Sequence, residues 1–157
     1  MTLIKPAPVR RILTVRSSPQ RAFDVFTRAA AAWWPKSHST GRSPLAEIVL
    51  EPQIGGRWYE RGEDGSIAQW GRVLAWDPPH RLLLAWQLTA DWKFDPDFIT
   101  EIEIRFDAAG EGLTRIEFEH RDLERFADKA ETIRAMLDAP GGWAGILESF
   151  VKQAEAS

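Results

Sequence analysis

Residues 98–120, FITEIEIRFDAAGEGLTRIEFEH, decide the fold. In the first part Phe98, Thr100, Ile102, Ile104 and Phe106 alternate with Glu101, Glu103 and Arg105. Successive side chains of a strand point to opposite faces, so one face is apolar and the other charged. After Gly110-Glu111-Gly112 the alternation resumes. Ile116, Phe118 and His120 share one face, and Arg115, Glu117, Glu119 and Arg121 lie opposite. A connection this short permits only antiparallel pairing, because parallel strands need a long crossover. The pair is therefore expected to present one face to a core and a ladder of opposite charges to water.

Upstream, the same logic extends the sheet. Ala46 to Pro52, Arg57 to Arg61, Ile67 to Trp76 and Arg81 to Leu88 read as strands. The turn EDGS (residues 63–66) and the turn DPPH (residues 77–80) join them closely, and the loop TADWKFDPD (residues 89–97) leads into Phe98. Gly55-Gly56 lacks a following helix and the Lys-Ser/Thr of a phosphate loop, so it reads as a sharp strand entry.

At the start, Val9 to Arg16 alternates, with Val9, Leu13 and Val15 opposite Arg10 and Arg16. Ser18 suits a helix N-cap and Pro19 the first helical position, where a missing N–H costs nothing. Ala22, Phe26, Ala29 and Trp33 follow at helical spacing, and Pro35 predicts an end near Trp34. Residues 35–44 form a polar loop. Near the other end, Asp128 with Glu131 resembles a capping box, and Ile133, Met136 and Leu137 make a stripe. Pro140-Gly141-Gly142 predicts a break. Trp143, Ile146, Leu147, Phe150, Val151 and Ala154 then form a broad apolar stripe that needs a surface to cover. The inner face of the sheet supplies it. The expectation is one α+β domain over residues 1–157: strand, helix, antiparallel meander and long broken helix.

Composition narrows the function. The chain has 157 residues, 44% hydrophobic and 27% charged, with a net charge of −3. That is the balance of an ordinary globular domain. No basic block exists to neutralise phosphates, which argues against nucleic acid, and no apolar run is long enough for membrane insertion. The absence of cysteine excludes disulfides, thiolate metal sites and cysteine nucleophiles, and fits a cytoplasmic location. The start MTLIKPAPVRR does not read as a signal peptide. Eight tryptophans are more than a core of this size requires, so some of them are expected to line a pocket.

The segments EPQIGGRWYE, WGRVLAWDPPHRLLLAW, FITEIEIRF and GGWAGILESF resemble the activator of heat-shock-protein-90 ATPase homologue-like family, within the START-like (SRPBCC) superfamily. The resemblance runs from about Val9 onward. It implies the helix-grip fold, a curved antiparallel β-sheet wrapped around a long C-terminal helix with a cavity between them. Relatives in that superfamily carry lipids, polyketides and hormones, and some catalyse cyclisation or hydrolysis without a shared catalytic motif. The family name implies a chaperone partner. Eukaryotic activators owe that contact partly to an additional N-terminal domain, which this sequence does not contain, so a chaperone role is not the expectation here.

The expected function is binding of a small apolar or amphipathic molecule between sheet and helix. Trp58, Trp86, Thr100, Ile102, Phe118, His120, Trp143 and Leu147 are the candidate ligand-binding residues. Trp92 and Phe94 are expected at a mobile rim. His120 has the parity of Ile116 and Phe118, so it is either a cavity acid–base group or a satisfied histidine near a strand end. With Tyr59 or Thr100 it would serve the alternative reading, a cyclase, dehydratase or hydrolase. A third reading is a chaperone-associated or other protein-interaction module. The three histidines lie far apart and no His-Glu-x-x-His or Gly-x-Ser-x-Gly pattern occurs, so neither a metal, a cofactor nor a nucleophile elbow is expected. His38 and His80 are expected in solvent, and a homodimer is compatible with the sequence.

Overall fold

In the computed structural model, which describes residues 6–156, seven strands form one antiparallel sheet. They are β1 (Val9–Val15), β2 (Leu45–Leu50), β3 (Arg57–Gly62), β4 (Ile67–Asp77), β5 (Arg81–Trp86), β6 (Thr100–Gly110) and β7 (Leu113–Arg121). Their order is β1-β7-β6-β5-β4-β3-β2. Hairpins make the meander β2 to β7, whereas β1 pairs with β7 at the far edge. Helices α1 (Pro19–Arg28) and α2 (Ala30–Trp33) therefore carry the chain from one sheet edge to the other, across the apolar face.

The alternation predicted for residues 98–120 sets the register. Ile102 faces His120, Ile104 faces Phe118 and Phe106 faces Ile116. These side chains are buried. On the opposite face Arg121 pairs with Glu101 and Glu103 at 2.9 Å each, and Arg81 pairs with Glu103 at 2.5 Å. Burial alone would raise the Glu103 pKa, but hydrogen bonds from Arg81 and Arg121 outweigh it and hold the carboxyl below its usual range. Strand ends differ slightly from the sequence reading: β6 begins at Thr100 rather than Phe98, and β5 ends at Trp86 rather than Leu88. Leu88 instead bridges to Phe94 and closes the base of the loop between β5 and β6.

Ser18 caps α1, its hydroxyl accepting from the Arg21 amide at 3.2 Å with Pro19 at the first helical position. Phe23 and Phe26 then reach the sheet and the last helix. Phe23 lies edge-on to Phe106 at 5.3 Å, and Phe26 to Phe150 at 5.3 Å. The C-terminal segment is α3 (Ala130–Asp138), a π-helical turn (Pro140–Ala144) and α4 (Gly145–Glu155). The break sits where Pro140-Gly141-Gly142 predicted it. A Cβ at Gly142 would stand 2.3 Å from the Met136 carbonyl oxygen, so only glycine lets the turn close on α3. The capping box expected at Asp128 and Glu131 does not form. The chain enters α3 from a 3-10 segment, Leu123–Lys129, that is kinked at Ala127, so Lys129 rather than Asp128 takes the N-cap position, and no side chain caps α3. Among the described residues no helix is long and apolar enough to cross a membrane.

Candidate functional site

The break between α3 and α4 turns Trp143 inward over Trp86 on β5 and over Phe118 and His120 on β7. A cavity of ≈ 630 Å³ opens beside it. Five indoles line it: Trp34 at the end of α2, Trp70 on β4, Trp86 on β5, Trp92 in the loop after β5, and Trp143. They touch in sequence. Trp34 lies 4.9 Å from Trp70 and 5.8 Å from Trp143, and Trp86 lies 5.8 Å from Trp143 and 6.3 Å from Trp92. Leu88, Leu137 and Ile146 complete the apolar wall, and the mouth is polar, with His38, Ser39, Asp91 and Lys93.

Of the eight residues selected from sequence, Trp86 and Trp143 line this cavity. Trp58 and Ile102 lie deeper, around a separate void of only ≈ 10 Å³. Thr100, Phe118, His120 and Leu147 are packed in the interior and touch neither space. The deep part of the helix-grip interior is thus filled by the protein's own aromatics, and the open volume lies toward the α3–α4 break. Trp92 and Phe94 stand on the loop expected at the rim, each more than a third exposed, and Trp92 lines the cavity.

His120 is the satisfied histidine of the two sequence alternatives. It has no exposed surface. Its Nδ1 accepts from the Trp143 indole at 3.1 Å. That acceptor role leaves the proton on Nε2, which donates to Thr100 Oγ1 at 2.8 Å. The Thr100 hydroxyl points on to the Trp86 carbonyl at 3.5 Å. Burial pushes the imidazole pKa down to about 3. This chain ties together Trp86 and Trp143, so Thr100 and His120 hold two cavity walls from behind. His38, expected in solvent, is exposed but also bridges the mouth. Its Nε2 donates to the Gly141 carbonyl at 2.6 Å, since a carbonyl only accepts.

A buried acid was missed in the sequence. Glu60 on β3 has no exposed surface. It accepts from the Ser39 hydroxyl, from the Thr40 amide at 2.5 Å, from the Thr40 hydroxyl at 3.0 Å and from the Trp70 indole at 3.1 Å. The available signal was its parity with Trp58 in the strand WYE. Trp34 and Trp70 likewise carry no local signal of the pocket, one closing a helix and the other lying within a strand.

Comparison with known proteins agrees with this geometry. The model of the family described as Activator of Hsp90 ATPase homolog 1-like protein matches residues 16–155. The anthrahydroquino-gamma-pyrone synthase Txn09 is 40% identical over 94% of this chain and 97% of its own, with a TM-score of 0.67. CalC, a self-sacrificing resistance protein from Micromonospora echinospora, is 31% identical over 94% of this chain and 93% of its own, with a TM-score of 0.69. Protein MLL2253 from Mesorhizobium loti, at 17% identity, 91% and 94% coverage and a TM-score of 0.63, shares the fold. The comparison with curated proteins gives no match. With a sheet that grips the C-terminal helix and a family match over nearly its whole length, the chain belongs to the Activator of Hsp90 ATPase homolog 1-like family and has the START-like helix-grip fold.

Proposed function

We propose that the cavity binds a small, flat, largely apolar molecule of the polycyclic aromatic kind, with its polar end at the mouth. The observation that carries this reading is the ring of five indoles around one open space. Indole faces and edges favour aromatic guests, and a mostly apolar concave site with few polar groups is the usual form of a ligand pocket. The 40% identity to a protein named as an anthrahydroquino-gamma-pyrone synthase supports the same ligand class. Trp86 and Trp143 are the contact residues in this account. Trp58, Ile102, Phe118 and Leu147 form the floor behind them, and Thr100 and His120 fix their orientation.

Catalysis on the bound molecule, of the cyclase type, is the second reading, favoured by that same relative. In it His120 is a positioning residue, because both its ring nitrogens are engaged inside the protein. The test is a titration of intrinsic tryptophan fluorescence with 1,8-dihydroxyanthraquinone. Saturable quenching is expected, and Trp143→Ala is expected to weaken it about tenfold, as loss of a buried aromatic anchor does. Absence of saturable quenching in the native protein would contradict the proposal.

A further inference from the structure

Glu60 is a buried carboxylate that pairs with no cation among the described residues. Its four contacts are all neutral donors, from Ser39, Thr40 and Trp70. The neighbouring arginines are committed elsewhere: Arg57 pairs with Glu51 at 3.3 Å, and Arg61 with Glu47 at 2.7 Å. A charge removed from water without a counter-ion is costly, and an apolar side chain would fill the same space at less cost. Its position offers a reason to keep it. All three residues that donate to it, Ser39, Thr40 and Trp70, are themselves cavity wall. The negative charge therefore sits one side chain behind the lining.

The wall in front of it suits a positive guest. Trp70 shares its N–H between the carboxylate, at 3.1 Å, and the Thr40 hydroxyl that itself donates to that carboxylate, at 3.0 Å, which leaves the ring richer in electrons and its face more attractive to a cation. Trp34 lies beside it, with ring centroids 4.9 Å apart. At the mouth, Asp91 and Lys93 carry opposite charges and largely offset one another, so Glu60 sets the sign inside.

Resting on the reading that the cavity takes a flat aromatic molecule, we infer that it selects one bearing a positive charge, a protonated amine or a quaternary ring nitrogen, seated against Trp34 and Trp70. The test is calorimetric titration near neutral pH with a matched pair of probes, acridine and N-methylacridinium, which differ in charge and little in shape. Native protein is expected to bind N-methylacridinium about tenfold more tightly than acridine. Glu60→Gln keeps the shape and removes the charge. It is expected to shrink that gap to about twofold while leaving acridine affinity nearly unchanged. Equal binding of the two probes to native protein overturns the inference without needing the variant, and leaves the aromatic cavity standing. A gap that persists in a folded Glu60→Gln variant also overturns it, as does an equal loss for both probes, which would make Glu60 a support for the wall only. Failure of both probes to bind removes the cavity reading and the inference together.

Discussion

The Trp143 indole donates to His120 Nδ1 at 3.1 Å inside the protein, so the residue that walls the cavity is held by a histidine that no solvent reaches. This bond requires a neutral imidazole, and burial keeps the His120 pKa at about 3 against an ordinary 6.5. The unfolded chain takes up that proton below pH 6.5 and the folded chain does not. Stability is therefore complete above pH 6.5 and falls as pH drops toward 3, by up to about 1.4 kcal/mol per pH unit. Carboxylates with lowered values, such as Glu51 and Glu103, add their own losses only below their ordinary 4.5. Urea unfolding at intervals from pH 6.5 down to 4.5 isolates the histidine. His120→Gln, which can still accept from Trp143 and donate to Thr100, is expected to flatten the slope; parallel slopes would show that His120 is not its source.

Trp92 separates binding from stability. Its backbone is left-handed, with φ 61, a conformation that costs a non-glycine residue about 1 kcal/mol. Its ring reaches Trp86 at 6.3 Å and stands 39% exposed. Trp92→Gly relieves the strain and removes the rim indole. Thermal unfolding is expected to stay within a few degrees of native, while affinity for 1,8-dihydroxyanthraquinone falls several-fold. A variant that binds as well as the native protein would remove Trp92 from the site.

Gly71 marks how tightly the wall is built. It pairs with Trp58 on one side and Trp86 on the other. A Cβ there would stand 1.8 Å from the Ala85 carbonyl oxygen and 3.4 Å from the Trp58 ring. Backbone on one side and an indole on the other leave no cheap way to yield. Gly71→Ala is expected to destabilise the fold by about 3 kcal/mol or more, measured by chemical denaturation. A loss under 1 kcal/mol would mean that the sheet relaxes here more easily than the packing implies.

Most of the fold was legible because strand parity is a local property. Phe98 to Phe106 and Ile116 to His120 announced their faces one residue at a time, and Pro140-Gly141-Gly142 announced the helix break. The site was less legible because it depends on distance between elements. Parity placed Phe118 and His120 on the inner face, but whether an inner residue meets open space or another side chain depends on what the helix brings. Trp143 fills the space before His120. Trp34 and Trp70 meet across 36 residues, at 4.9 Å, and nothing local to either reveals it. The capping box at Asp128 failed for a related reason: the chain kinks at Ala127 and α3 takes Lys129 as its N-cap, which a four-residue pattern cannot register.

The indole N–H groups give the most direct test, since eight tryptophans are spread over site and core. Two-dimensional NMR of the 15N-labelled protein resolves them, with assignment by single substitution. On addition of 1,8-dihydroxyanthraquinone, the signals of Trp34, Trp70, Trp86, Trp92 and Trp143 are expected to shift. Trp33, which donates to the Val25 carbonyl at 2.9 Å within the core, and Trp76, which packs on Phe23 at 5.1 Å, are expected to stay in place. Shifts confined to the first group would place a flat aromatic ligand in the cavity. Shifts of Trp33 and Trp76 as large as the rest, or no shifts at saturating ligand, would contradict it.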